Sequence, residues 1–558
     1  MKKLDTTEDK HTRSAVQARL IKILCAGTAL AVVPALVPAA RAVSLYNQPV
    51  GGQTLEISLD TTVEYSVFDR VNAPSASLLG FANGNEGDEA FQHGIVSNEF
   101  DVLPVFDLRY GAYGVHVSGE AYLNTSYLGK NQNDSPNTFN PLGPASNRDF
   151  PSATRNIDGQ NARLLDAFVY GSQYFGAGQG QEITIKLGQQ TLLWGQSLFF
   201  AGNGIAGGQA PVDIITAENL PNPQTQQIIL PVGQAVVTYQ PNQTLTFQAY
   251  YQYQWQHDVF PGVGSYFSNG IVGDGFDKGG NRLIAVQLGG GDNLYLYRTK
   301  DIAPPSQNGQ FGVSVQATLG NYDLGLYALR FDSKTPELYV GRAFPGQGPN
   351  NVGSYTAVYP RDIQLYGASF STTIGDANVG GEISGRRNMP LDSGAAFAVY
   401  PGPANSGALY AVGNTMAAQI SAIYVSAGIP LDPGGVTIAG EFAMNHVLQV
   451  TAHKTELYPA RDNTAGAAEF VITPAYYEVF PSTELQFPIG LAYDMFGRSE
   501  VDSTMNVGTG SVSVGVTATY RGTWVAGLTY KDFFGAPDPV INPNADRGYV
   551  SFNIEHTF

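Results

Sequence analysis

The sequence predicts an all-β fold, a transmembrane antiparallel β-barrel of about 18 strands with short turns at one end and long loops at the other. Three observations carry this. Long segments alternate apolar and polar residues with period two, short and long connections alternate along the chain, and no apolar run reaches the ~20 residues of a membrane-crossing helix.

Residues 1–42 read as a cleaved secretory signal. Lys2, Lys3, Lys10, Arg13, Arg19 and Lys22 precede an apolar stretch at 23–37, and Ala40-Arg41-Ala42 fits the cleavage pattern. Cys25 follows Leu24 rather than a small residue, which argues against lipidation, and its removal leaves a mature chain, 43–558, with no thiol for a disulfide, a nucleophile or a metal site. Taking 7 basic and 3 acidic residues from the 30 and 47 of the whole chain moves the net charge from −17 to −21. Nucleic acid is excluded as a partner, because phosphate contacts need clustered Lys and Arg. Only 14% of residues are charged and 65 of 558 are Gly, which suits a lipid-facing band but equally an extracellular β-sandwich.

The first mature strand is the clearest. Leu55, Ile57, Leu59, Val63, Tyr65 and Val67 are apolar, interrupted only by Thr61, and Glu56, Ser58, Asp60, Thr62, Glu64 and Ser66 between them are polar. That alternation outruns a typical strand and matches the ~10 residues a tilted strand needs to span a bilayer.

Eight hairpins follow, at 100–109 with 111–127, 162–174 with 181–193, 232–240 with 243–256, 309–319 with 321–332, 361–374 with 377–388, 414–428 with 435–449, 467–480 with 483–494, and 509–520 with 522–533. Breakers such as Gly375-Asp-Ala377 and Arg521-Gly-Thr523 make their turns. The longer polar connections are 69–99, 128–161, 194–231, 257–308, 333–360, 389–413, 450–466, 495–508 and 534–547. With the first and last strands this gives about 18, and boundary shifts of a few residues leave 14 to 18 open. The asymmetry predicts periplasmic turns and termini with extracellular loops. A secreted β-sandwich is the soluble alternative, but its strands are usually shorter.

The last segment, 548–558, alternates Val550, Phe552, Ile554 and Phe558 against Ser551, Asn553, Glu555 and Thr557. It resembles the closing strand of bacterial outer-membrane barrels, which implies recognition by the barrel-assembly machinery. His556 falls on the outward row, where an apolar residue is expected, and a place at the interfacial rim accounts for it.

Alternation also identifies the lumen row. In 244–255 Leu245, Phe247, Ala249, Tyr251, Tyr253 and Trp255 face out, leaving Gln248, Tyr250, Gln252 and Gln254 inside. Val379 and Ile383 place Glu382, Ser384, Arg386 and Asn388 inward, and Ile438, Phe442 and Met444 do the same for Glu441 and Asn445. Asp166, Lys186, Glu484, Gln486, Asp494 and Lys531 fall on inward rows too. With Trp194, the residues Asp166, Lys186, Gln248, Tyr250, Gln252, Gln254, Glu382, Arg386, Glu441 and Asn445 are candidates to line a pore. Such a surface could select a solute, and it could equally be the hydrogen-bonded filling of any barrel.

From Arg163 onward the chain resembles a proteobacterial outer-membrane family, domain of unknown function 1302 (DUF1302). The resemblance rests on Ile185-Lys-Leu-Gly-Gln-Gln-Thr-Leu-Leu-Trp-Gly-Gln-Ser197, Ala210-Pro-Val-Asp213, Tyr250-Tyr-Gln-Tyr-Gln-Trp255, Pro261-Gly-Val-Gly-Ser-Tyr-Phe-Ser268, Tyr359-Pro-Arg-Asp-Ile-Gln-Leu-Tyr-Gly-Ala-Ser-Phe370 and Asp546-Arg-Gly-Tyr549. It implies a Gram-negative outer-membrane channel or transport component for hydrophobic compounds, porin-like in form and surrounded by outer-membrane lipid, acting through a polar lumen or a lateral opening; a barrel that hands material to or from a periplasmic or lipoprotein partner is a second reading. No catalytic residue or cofactor is implied, and the absence of a cysteine in 261–268 removes any disulfide-held form of that loop. The Gly-, Asn- and Gln-rich stretch 194–231 has two readings, a lumen-inserted constriction or an exposed loop.

Enzyme readings are weaker. Ser268-Asn-Gly270 echoes an outer-membrane phospholipase motif, but Tyr266 stands where that family has its histidine, so the serine lacks an adjacent base. His93, His116, His257, His446, His453 and His556 show no metal-ligand spacing. A non-conducting structural or adhesive barrel remains the alternative function.

Overall fold

The computed structural model describes residues 43–135, 147–221, 223–268, 282–286, 293–299, 308–343, 350–394, 396–397, 408–426 and 434–558. The predicted signal, 1–42, lies outside the described residues.

The wall is built from β1 (Gln53–Arg70), β2 (Gly94–Tyr110), β3 (Tyr113–Asn124), β4 (Gln160–Phe175), β5 (Gln181–Gln190), β6 (Val232–Gln240), β7 (Leu245–Gln252), β8 (Gln310–Leu319) and β9 (Tyr322–Phe331). It continues through β10 (Ile363–Ile374), β11 (Ala377–Pro390), β12 (Val412–Val425), β13 (Val436–Ala452) and β14 (Thr464–Phe480). β15 comes in two pieces, Thr483–Gln486 and Ile489–Phe496, and β16 (Gly510–Tyr520), β17 (Trp524–Phe534) and β18 (Tyr549–Thr557) complete the ring. Pro488, which has no amide hydrogen for the ladder, stands at the break in β15.

Each strand pairs antiparallel with its sequence neighbours, and β18 returns to β1 from Thr62↔Thr557 to Arg70↔Tyr549. The sheet's 20 pieces thus form a closed 18-stranded barrel, since β15 is split and Val43–Val50 lies outside the ring. Closure gives every wall strand two neighbours. Val43–Val50 pairs with the first residues of β1, on the side that β18 takes further up, so the seam continues below the C-terminus.

The two faces separate as alternation requires. Leu187, Phe247, Val313, Leu326, Ile420 and Phe470 are exposed on the outside, whereas Glu64, Gln252, Glu382, Glu441 and Glu469 on inward rows are buried. Burying such polar groups costs free energy unless they find hydrogen-bond partners.

The alternation misplaces Trp255 and Asn388. β7 ends at Gln252, so Trp255 does not face out but is buried, edge to face against Tyr359 at 4.9 Å. In β11 the register shifts between Arg386 and Met389, and Asn388, at φ +59°, lies exposed in that bulge instead of facing the lumen.

The long connections also carry strands that their polar composition conceals. Arg282–Val286, Leu294–Arg298, Glu337–Gly341, Asn351–Val358 and Ala396–Phe397 form a separate five-stranded sheet at the long-loop end. No helix among the described residues is long and apolar enough to cross a membrane.

Candidate functional site

The chain leaves the wall after β5 and returns to it at β6, and the 191–231 segment between them meets inward side chains on opposite sides of the ring. On one side it reaches β11 to β13. The Glu441 carboxylate accepts the amides of Leu198 and Phe200 at 3.0 Å and that of Phe199 between them. Glu382 accepts from the amides of Gln196 at 2.6 Å and Ile205 at 2.8 Å, and from Gln419 Nε2 at 3.1 Å. Arg386 Nη2 donates to the carbonyls of Gly202, Asn203 and Gly204 at 3.0, 2.9 and 2.7 Å. Asn445 Nδ2 donates to Asn203 Oδ1 at 3.2 Å, and its own Oδ1 accepts from Ser499.

Small wall residues make room for the segment's apolar side chains. Phe199 packs with Ala439 and Val471, and Phe200 against Ala443, Ala465 and Ala467. Gly195, at φ +102°, and Gly204 both lie against the Glu382 carboxylate, where a Cβ would collide with its oxygens. Gly195 therefore has two reasons to be glycine, its left-handed backbone and this close approach.

On the other side the segment reaches β2 to β4, nearly half the ring away. Arg163 of β4 holds Glu120 through Nε at 2.7 Å and pairs with Asp213 of the segment. Gln227 Nε2 bridges Glu120 at 2.7 Å and Asp101 at 3.2 Å. Ala210, Ala217, Ile228 and Ile229 give the segment a small core of its own.

Trp194 joins the two halves. Its Nε1 donates to Gln248 at 2.6 Å, its amide to Gln209 Oε1 at 2.6 Å, and its ring meets Tyr250 and Tyr327 at 5.1 and 5.7 Å. Gln252 Nε2 donates to the Gln209 carbonyl at 2.7 Å, and Asp166 accepts weakly from the Thr191 amide.

Most of the sequence-predicted residues thus converge on one segment. Lys186 and Gln254 stand apart: Lys186 is exposed with its ammonium 5.2 Å from the Phe168 ring centre, and Gln254, beyond the end of β7, accepts the Gly233 amide at 2.9 Å. Arg163, Glu120, Asp101, Gln419, Asp213 and Gln227 were missing from the candidate set. The inward-row count that found Glu382 would have found the four on strands, but nothing in the sequence pairs Asp213 or Gln227 with them.

At the long-loop end Asp88 binds Arg70 at 2.8 Å and Arg547 at 2.9 Å, and both guanidinium groups lie 5.5 Å from the Tyr266 ring centre. Tyr266, at the position of the phospholipase histidine, is therefore a buried part of this latch, while Asn269 and Gly270 of that motif lie outside the described residues. Among the described residues no group of His, Cys, Asp and Glu could hold a metal ion.

No curated protein matches the chain. Among solved structures it is similar to OccAB4 of Acinetobacter baumannii, with 7% identity and a TM-score of 0.43, to OpdK of Pseudomonas aeruginosa, solved with vanillate, with 10% and 0.39, and to a BenF-like porin of Pseudomonas fluorescens Pf-5, with 9% and 0.41. Each alignment covers 90% of this chain and 98% of the other. The model of the family described as "Protein of unknown function (DUF1302)" matches residues 22–558, and the chain belongs to that family.

Proposed function

We propose that this protein is an outer-membrane channel or transport component for small hydrophobic compounds, with its long loops outside the cell and both termini in the periplasm. The observation that carries the reading is the 191–231 segment, tied by hydrogen bonds to β11–β13 on one side and to β2–β4 on the other. Rings of 16 to 18 strands are wide enough to leave an aqueous lumen. A segment fastened across such a lumen narrows it to a passage whose polar and apolar lining can discriminate between solutes. Phe199, Phe200 and Leu230 pack against the wall and hold the segment in place rather than line the passage, so the choice of a hydrophobic cargo follows what the family resemblance implies.

In this reading the exposed apolar belt meets outer-membrane lipid, the barrel-assembly machinery recognises the β18 strand, and a periplasmic or lipoprotein partner receives or delivers cargo at the short-turn end. Candidate pore-lining residues such as Glu382, Arg386, Glu441 and Asn445 act by holding the constriction. The protein performs no chemistry on its cargo and needs no cofactor.

The test combines two readouts on the intact protein. Purified protein in planar bilayers gives discrete conductance steps, and a strain lacking the gene loses uptake of labelled hydrophobic compounds until the gene is restored. A protein that inserts without conducting, in a strain whose uptake is unchanged, would be a structural or adhesive barrel instead.

A further inference from the structure

The wall is interrupted beside β4. This strand pairs with β3 from Gln160 to Gly171, but with β5 only from Ala167↔Gln189 downward. Among the described residues, 160–166 have no ladder partner on the β5 side, because β5 ends at Gln190 and the chain turns away. The Gln189 side chain donates to the carbonyls of Leu164 at 3.0 Å and Leu165 at 2.7 Å, in place of a ladder. A register shift opposite Val117 and Gly119 marks a bulge at the same level. Bulges redirect strands and end pairing.

A cavity of about 490 Å³ occupies this interruption. Its lining comes from both faces of the wall: Leu164 is outward and exposed, whereas Arg163 and Leu165 are on the inner side, with Gln189 at the edge between them. At this height the outer surface is still apolar, since the neighbouring outward residues Leu123 and Phe100 are exposed. Behind the cavity Leu165 packs with Leu103, Leu230 and Val259. Unpaired backbone is not tolerated against hydrocarbon, but it is tolerated where it lines a cavity.

We propose that this gap is a lateral port, through which a hydrophobic molecule moves between the lumen and the bilayer. The proposal rests on the channel reading and gives its cargo a route. Among the described residues that line the cavity Arg163 is the one Lys or Arg, and it is already neutralised by Glu120 and Asp213, with Asp101 close by through Gln227, so it does not await a carboxylate. The port therefore takes uncharged hydrophobic molecules carrying a hydroxyl or carbonyl group.

The test closes the gap chemically. With Cys25→Ser removing the native thiol, Leu164→Cys and Gln189→Cys are introduced together and joined by a short bis-maleimide, the single variants serving as controls for bulk. Ion conductance is read in planar bilayers and uptake of 1-pyrenemethanol in the deletion strain. Cross-linking is expected to lower uptake at least tenfold and leave conductance within twofold. Uptake at the uncross-linked rate would overturn the port, as would an unmodified protein that conducts ions without admitting 1-pyrenemethanol, and both would leave the channel reading standing. Loss of conductance and uptake alike in the unmodified protein would overturn both.

Discussion

The guanidinium of Arg386 donates to the carbonyl of Gly204 at 2.7 Å, joining a β11 side chain to a segment that leaves the wall between β5 and β6. One cation thus satisfies three consecutive carbonyls at the entry to the short 3-10 turn Ile205–Gly208. Backbone groups held away from water need such partners.

Removing these anchors should release the segment without unfolding the barrel. A buried hydrogen bond to a charged group contributes roughly 1.5–3 kcal/mol, and Arg386→Gln combined with Glu441→Gln weakens several. The double variant is expected to raise mean conductance about two- to threefold with frequent flicker, while its heat-resistant migration on gels stays that of the parent. Steady, parental conductance would show that the anchors do not control the passage.

Gly195→Ala should act on the same site from the other side. A Cβ there meets the Glu382 carboxylate, and the left-handed backbone at φ +102° adds strain of about 1–3 kcal/mol. Limited proteolysis should then cut within 195–205, where the parent resists. Ser197→Ala, which removes only a long contact at 3.4 Å to Glu441, should not have this effect.

The long-loop end should be pH-sensitive through Glu86. Burial pushes its carboxyl up to about 8, and Arg547 opposes that rise while Asp88 adds to it. Between about 4.5 and 8 the folded loop binds the proton that the opened loop has lost, so its stability falls as pH rises through this window. Hydrogen exchange at 76–91 should accelerate by up to about tenfold per pH unit beyond the intrinsic increase. Glu86→Gln should abolish this extra dependence, and an unchanged slope in that variant would contradict the assignment.

The closing seam carries its own prediction. His556, the residue that does not fit an apolar outward row, stacks on Trp524 at 4.2 Å and meets Phe558 edge to face at 4.4 Å. Aromatic pairs contribute about 0.5–1.5 kcal/mol beyond burial. His556→Ala and Phe558→Ala should each lower the temperature at which the barrel loses its heat-resistant gel band, and a loss of both rings should exceed either alone.

How much of this was legible in the sequence differs by the range of the interaction. Period-two alternation is local, so residues such as Leu55, Ile57 and Val63 located β1, and the same count placed Glu382, Glu441 and Asn445 on the inner surface. It broke where the backbone stops alternating: Trp255 lies past the end of β7, and Asn388 sits in a bulge that shifts the parity of β11. Partner choice was not legible. Nothing near Glu441 in sequence points to the amides of 198–200, and the strands at Glu337–Gly341 and Asn351–Val358 owe their pairing to segments far along the chain.

The most direct test of the account is the single-channel conductance of protein lacking 200–226. If the 191–231 segment constricts the lumen, the deletion yields a correctly assembled barrel with a severalfold larger and less selective current. Unchanged current and unchanged uptake of hydrophobic compounds would contradict it.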